Sequence, residues 1–143
     1  MVTRTSDAEW RGPVPGGEGL VRLGSGAFEG NYSFASRFED GAGTNPEELL
    51  GAAHAACFSM ALSLILGGAG FAPDRIRTSA VVEIRKSEGG FAIPTIKLVT
   101  RGRVPELDEA TFIGHAETAK RECPISKALA GVEMSLDAKL DPV

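Results

Sequence analysis

The stretch TNPEELLGAAHAACFSMALSLIL, Thr44–Leu66, limits the fold of this chain more than any other segment. Asn45 suits an N-cap, Pro46 suits the first helical position because its missing N–H would be unpaired there anyway, and Glu47 and Glu48 add negative charge where the helix dipole favours it. Thr44-x-x-Glu47 also fits a capping box one residue earlier, so the two signals set the start to within one residue. Gly67-Gly68 supply the expected stop. Leu49, Leu50, Ala53, Cys57, Met60, Ala61, Leu64 and Ile65 recur at helical spacing and leave little polar surface on any side. Such a helix is expected to be buried on most sides. The remaining chain must then wrap it, and 143 residues suffice for one domain, 1–143, but not two.

The flanking segments have the character of a wrapping sheet. Ala8, Trp10, Leu20, Leu23, Tyr32, Phe34 and Phe38 alternate with polar residues, and Gly16-Gly17, Gly24 and Gly26 punctuate them, which predicts antiparallel strands and turns over the first forty residues. Ile76–Lys86 and Phe91–Val104 read as two strands joined by a Ser87-Glu88-Gly89-Gly90 hairpin turn. Asp108 is placed to cap a second helix reaching about Glu122, with Phe112, Ile113, Ala116 and Ala119 on its apolar face. Pro124 interrupts that helix at Cys123, Ser126–Ala130 reads as a further helical turn, and Val132–Leu140 alternates as a last strand. The order β-β-β-α-β-β-α-β implies an α+β fold, an antiparallel sheet wrapped on a long central apolar helix with a second helix beside it.

Composition narrows the function. Apolar residues make up 43% and charged ones 24%, as in ordinary globular proteins, and the net charge of −4 argues against nucleic acid as a partner. The greasiest run, Ala55–Leu66, is about a dozen residues, short of the roughly 18 that a membrane span needs, and no membrane partner is expected. Met1–Gly12 carries Arg4, Asp7, Glu9 and Arg11 and lacks the apolar centre of a signal peptide, so a cytoplasmic address is expected. Structural disulfides are rare there, and the two cysteines read as core thiols or redox-active ones. Two cysteines and two histidines without paired spacing do not suggest a metal site, and the Gly16–Gly19 and Gly24–Gly26 runs are not phosphate loops; no cofactor is expected.

The thiols are the sharper clue. A lone cysteine in an apolar helix is usually a small hydrophobe. Against that, Ala53, Ala56 and Ala61 leave room around Cys57, a second cysteine stands at a helix break, and Arg37 and Glu47 lie just upstream. A thiolate needs a cation nearby, since a mid-helix position gains nothing from the dipole. His54 precedes Cys57 by three residues and could reach it, although a structural role weighs more heavily for it; His115 reads as a solvated residue on the second helix.

The segments RFEDGAGTNPEELLGAAHAACFSMAL (Arg37–Leu62) and AKRECPIS (Ala119–Ser126) closely resemble the OsmC branch of the OsmC/Ohr family, the osmotically induced and organic-hydroperoxide-resistance thiol peroxidases, and the likeness extends over nearly the whole chain. The resemblance implies a peroxiredoxin-like enzyme of the stress response that reduces organic hydroperoxides, and hydrogen peroxide less well, without metal or haem. It matches Cys57 to the reactive cysteine, Cys123 to the resolving cysteine, and Arg37 and Glu47 to the residues that activate the thiol. It further implies an intertwined homodimer and re-reduction by a dithiol, with a lipoyl-bearing protein the leading candidate. Other readings on the same fold are a binder of apolar ligands and a redox sensor.

Helix geometry adds an expectation about assembly. Glu47 and Cys57 are ten residues apart, about 15 Å along a straight helix and some 80° around it. For both to serve one site, the Arg37–Glu47 pair must come from another chain or the helix must bend sharply. A two-fold homodimer, with each site combining Cys57 and Cys123 of one chain and Arg37 and Glu47 of the other, is therefore expected.

Overall fold

Three short strands, β1 (Ser6–Arg11), β2 (Glu18–Leu23) and β3 (Glu29–Tyr32), form an antiparallel sheet in that order. They come from a computed structural model that describes Met1–Val143 as two units, residues 1–49 and 50–143. In the first unit, Gly19 pairs with both Trp10 and Tyr32 across the sheet. Its missing side chain lets those two rings approach to 5.5 Å between centroids, where any Cβ would collide with them.

The strand-like reading of Phe34 and Phe38 fails. These residues begin and end a short helix, α1 (Phe34–Phe38), and their rings lie 5.0 Å apart at the helical i, i+4 spacing. A capping box starts it: Ser33 Oγ accepts from the Ser36 amide at 3.1 Å, and Ser36 Oγ accepts from the Ser33 amide at 2.8 Å. Serine at the fourth position does what glutamate usually does, which is why the signal was not legible. The buried residues of this unit are Gly19, Ser36, Thr44 and Glu47, none of them a large apolar side chain.

Helix α2 (Pro46–Gly68) starts where Asn45 predicts, with Asn45 Oδ1 accepting from the Glu48 amide at 2.8 Å. Thr44 instead donates its hydroxyl to the Glu48 carboxylate at 2.7 Å, so the competing capping box is not formed. The helix ends at Gly68, where Gly67-Gly68 predict the stop. Gly70, at φ +91°, takes the left-handed position of a Schellman motif, with Phe71 N–H donating to Leu66 O at 2.9 Å and Gly70 N–H to Gly67 O at 3.1 Å.

In the second unit, β4 (Arg75–Val82) is followed by a small hairpin, β5 (Arg85–Ser87) and β6 (Gly90–Ala92), and then by β7 (Thr95–Arg103). The expected pair of long strands is thus interrupted: β4 pairs with β7 and β5 with β6 in separate ladders, and Pro94, lacking an N–H, stands at one of the breaks. Helix α3 (Glu109–Glu122) is capped as expected, Asp108 accepting from the Thr111 amide at 2.9 Å. Ile113 departs from its expected apolar face and is 39% exposed. After α4 (Pro124–Ala128) the chain returns as β8 (Glu133–Leu140), which runs parallel to β7. The sheet β4-β7-β8 is therefore mixed rather than wholly antiparallel, because the α3–α4 crossover brings the chain back in the same direction.

Phe58, Leu62 and Leu66, one face of α2, are fully buried with Ile96 and Leu98 of β7 and Phe112, Ala116 and Ala119 of α3. A hydroxyl ladder, Ser59 to Thr78 at 2.8 Å and Thr78 to Thr100 at 3.0 Å, ties the helix to the sheet. The opposite face of α2 is bare within one chain: Met60 is 76% and Leu64 78% exposed. That corrects the expectation of burial on most sides. By length and composition alone α2 is also long and apolar enough to cross a membrane, a test that the core helix of a globular protein passes as well.

Candidate active site

Two clusters gather the residues singled out in the sequence, one in each unit. In the first unit, Arg37 lies in the last turn of α1 and Glu47 in the first turn of α2. Ser36 and Asn45 lash the two ends together: Ser36 Oγ donates to Thr44 O at 2.7 Å and Asn45 Nδ2 donates to Ser36 O at 3.1 Å. Glu47 then meets Arg37 at two points. Arg37 Nε donates to both carboxylate oxygens at 3.2 and 3.1 Å, and Nη2 donates to Oε1 at 2.7 Å. The guanidinium also sits 5.3 Å over the Phe38 ring. A cavity of about 220 Å³ opens beside it, walled by Trp10, Tyr32, Phe34 and Phe38.

In the second unit, Cys57 is half-buried on α2 and Cys123 is fully buried at the α3–α4 junction; both are free thiols. Pro124 opens α4 at its first position, and Cys123 is at once the C-cap of α3 and the N-cap of α4. Cysteine caps poorly, and its side chain makes no capping hydrogen bond. The amide of Ile125 lies in the first turn of α4, and both it and the Cys123 thiol stand close enough to Cys57 to act on its ionisation. Burial and the Cys123 thiol push the Cys57 pKa up, and the Ile125 amide pulls against them. Cys57 faces an apolar groove of about 1010 Å³ that also touches Met60, Leu64, Ile65 and Pro124.

His54 does not carry the Cys–His pairing that its spacing allowed. Its ring is fully buried and Nε2 shares a 2.8 Å hydrogen bond with Ser126 Oγ, while Nδ1 has no partner; burial lowers its pKa. His115 is partly buried rather than solvated. The Ile125 amide and the Ser126 hydroxyl were not singled out in the sequence. A backbone N–H has no sequence signature, and only the Cys123-Pro124 break hinted that first-turn amides would be free here. No group of three His, Cys, Asp or Glu side chains is placed to hold a metal ion.

A family model described as OsmC-like protein matches residues 39–137, which include Glu47, Cys57 and Cys123. The chain is 48% identical over 140 residues to the peroxiredoxin OsmC of Escherichia coli K12, covering 97% of both proteins. It is 35% identical over 94 residues to an organic hydroperoxide resistance protein of Xanthomonas axonopodis pv. citri, covering 64% of this chain and 63% of that one. Among solved structures, the organic hydroperoxide resistance protein OhrB of Bacillus subtilis superposes with a TM-score of 0.75 at 29% identity, over 94% of this chain and 98% of that one. One from Elizabethkingia anophelis gives 0.77 at 27% identity, over 98% and 99%. The fold and the paired thiols define a member of the OsmC/Ohr group. This chain belongs to the OsmC-like protein family.

Proposed function

We propose that the chain is a cysteine-based peroxidase that reduces organic hydroperoxides, and hydrogen peroxide less well, to alcohols or water. The observation that carries the reading is the close approach of Cys57 to Cys123 beside an apolar groove. The Cys57 thiolate attacks the outer peroxide oxygen; an S–O bond forms, the O–O bond breaks, and the alkoxide takes up a proton to leave as alcohol. Cys57, oxidised by two electrons to the sulfenic acid, is then attacked by the Cys123 thiolate. An S–S bond forms and the sulfenic oxygen departs with a proton as water. A dithiol, with a lipoyl-bearing protein the candidate, returns both thiols and leaves as its own disulfide.

Arg37 has the chemistry to lower the thiol pKa and to stabilise the leaving alkoxide, and Glu47 to hold it in place. Nη1 makes none of the bonds to Glu47 and is available for an incoming peroxide. Because burial and Cys123 raise the Cys57 pKa, the reading requires such a cation.

The same reading includes an intertwined homodimer in which Arg37 and Glu47 of one chain complete the thiol site of the other. Two features support it: the N-terminal unit buries no large apolar side chain of its own, and α2 leaves Met60 and Leu64 bare. A three-stranded sheet without a core needs a surface to lie on. Treating residues 1–143 as one domain is supported by the alignment over 97% of the chain. Free thiols accord with a reducing compartment, and we place the protein in the cytoplasm.

Steady-state reduction of cumene hydroperoxide with a dithiol, lost in Cys57→Ser, tests the function. A carrier of apolar ligands, which the groove would also suit, or a peroxide sensor would show stoichiometric binding or oxidation without turnover, and that result would overturn the enzyme.

A further inference from the structure

His54 lies three residues before Cys57, and Ser126 lies three residues after Cys123. The 2.8 Å hydrogen bond between them therefore bridges the helix that carries one thiol and the turn that carries the other. It is buried at both ends, His54 being 0% and Ser126 5% exposed. Helix α4 is one short turn, held to α3 through the Cys123 N–H bond to Ala119 O at 2.9 Å. Ser126 is in its first turn, next to Ile125, whose amide favours the Cys57 thiolate.

The histidine is an awkward packing residue. Its Nδ1 is buried without a partner, a defect that leucine or phenylalanine would not have. What the imidazole supplies, and an apolar side chain cannot, is the bond to Ser126. Serine is similarly ill suited to a buried face unless its hydroxyl is claimed.

We propose that His54 and Ser126 form a positioning latch that holds the Cys123-Pro124-Ile125 corner against α2, so that Cys123 attacks the Cys57 sulfenic acid before a second peroxide does. The inference rests on the peroxidase reading and concerns its second step. Neither residue touches the reacting oxygen. Without the latch, α4 retains its helix and Cys123 its buried place on average, but the two sulfurs spend less time in line. Small misplacements of reacting groups cost up to about 10²-fold in rate.

The test is a race. Purified, reduced protein is mixed with cumene hydroperoxide, and intact mass follows two products: the disulfide, which loses two hydrogens, and the over-oxidised sulfinic acid, which gains two oxygens on Cys57. Ser126→Ala should form the disulfide about tenfold or more slowly and over-oxidise at a correspondingly lower peroxide dose. Ser126→Thr, which keeps the hydroxyl, should restore wild-type partition, and His54→Gln, whose amide nitrogen reaches as far as Nε2, should restore it in part. Ser126→Ala with wild-type partition, even if it melts at lower temperature, would overturn the latch. So would Ser126→Thr over-oxidising as readily as Ser126→Ala, because the defect would then follow packing rather than the hydroxyl. Failure of the wild type itself to form the disulfide would instead sink the peroxidase reading.

Discussion

Glu47 grips Arg37 at two points from a buried position: the glutamate side chain is 9% exposed and the arginine side chain 37%. A buried carboxylate without its cation is strongly unfavourable, so Glu47 constrains Arg37 more than Arg37 constrains Glu47. The arginine is fixed at its Nε edge, and its Nη1 makes none of the bonds to Glu47.

This relationship predicts how the two side chains fail. Arg37→Lys keeps the charge but supplies a single point that cannot satisfy both carboxylate oxygens. We expect kcat/KM for cumene hydroperoxide to fall about 10²-fold, the loss typical of one electrostatic contact to a developing oxyanion. Glu47→Gln should lose nearly as much although the arginine is retained, and the double variant little more than either single one. Additive losses would mean that Glu47 does not act through Arg37.

The thiol pair predicts an effect of opposite sign. The Cys57 pKa is raised first by burial and then by the neighbouring Cys123 thiol. Cys123→Ala removes the second cause and leaves the first, so the Cys57 pKa should fall and its thiolate fraction at neutral pH should rise. Alkylation by iodoacetamide followed against pH should show its midpoint moved to lower pH in that variant. A midpoint moved upward would show that Cys123 assists ionisation of Cys57.

His54 predicts the acid limb of stability. Burial lowers its pKa below the ordinary 6.5, so the fold favours the neutral ring. Above 6.5 that preference is fully present; as pH falls below it, the unfolded chain takes up a proton that the folded one refuses, and stability drops until the lowered folded pKa is passed. Urea unfolding of wild type and His54→Gln over this range should differ in slope by up to about one proton. Parallel curves would show that His54 charges freely in the fold.

Much of this was legible in the sequence, and the omissions share a cause. Asn45-Pro46 and Asp108 announced their helices because each cap is made within one turn. The Cys123-Pro124 break was visible for the same reason. Helix α1 was missed because Ser33 and Ser36 cap it with short side chains that also suit a strand edge. The parallel placement of β8 depends on the crossover through α3 and α4, and strand alternation is identical in either direction. The partner of His54 was out of reach altogether, since Ser126 lies 72 residues away and meets it only through packing of α4 on α2.

Substrate preference follows from the groove below Cys57. Its walls at Ala61, Ile65 and Pro124 are apolar, and each methylene of substrate buried there contributes about 0.8 kcal/mol, roughly fourfold in binding. Cumene and lipid hydroperoxides should therefore exceed hydrogen peroxide in kcat/KM by orders of magnitude. Equal values would mean that the groove holds no part of the substrate.

The bare face of α2 carries the last prediction. The helix is unbroken from Pro46 to Gly68, with no internal proline, and a sharp bend at Gly51 alone would be unusual. On a straight helix a spacing of ten residues, that between Glu47 and Cys57 in the sequence, spans about 15 Å, farther than an arginine held by that glutamate reaches. Leu64, 78% exposed, is instead well placed for a partner to cover. Leu64→Glu should shift the protein from dimer to monomer in sedimentation and abolish turnover. Cys57→Ser and Arg37→Ala are each expected to be inactive alone. Unfolded together and refolded, they should regain up to about a quarter of wild-type activity, because random pairing makes half the molecules mixed dimers and each mixed dimer carries one intact site. No recovery in mixed dimers verified by mass would mean that each site is completed by its own chain.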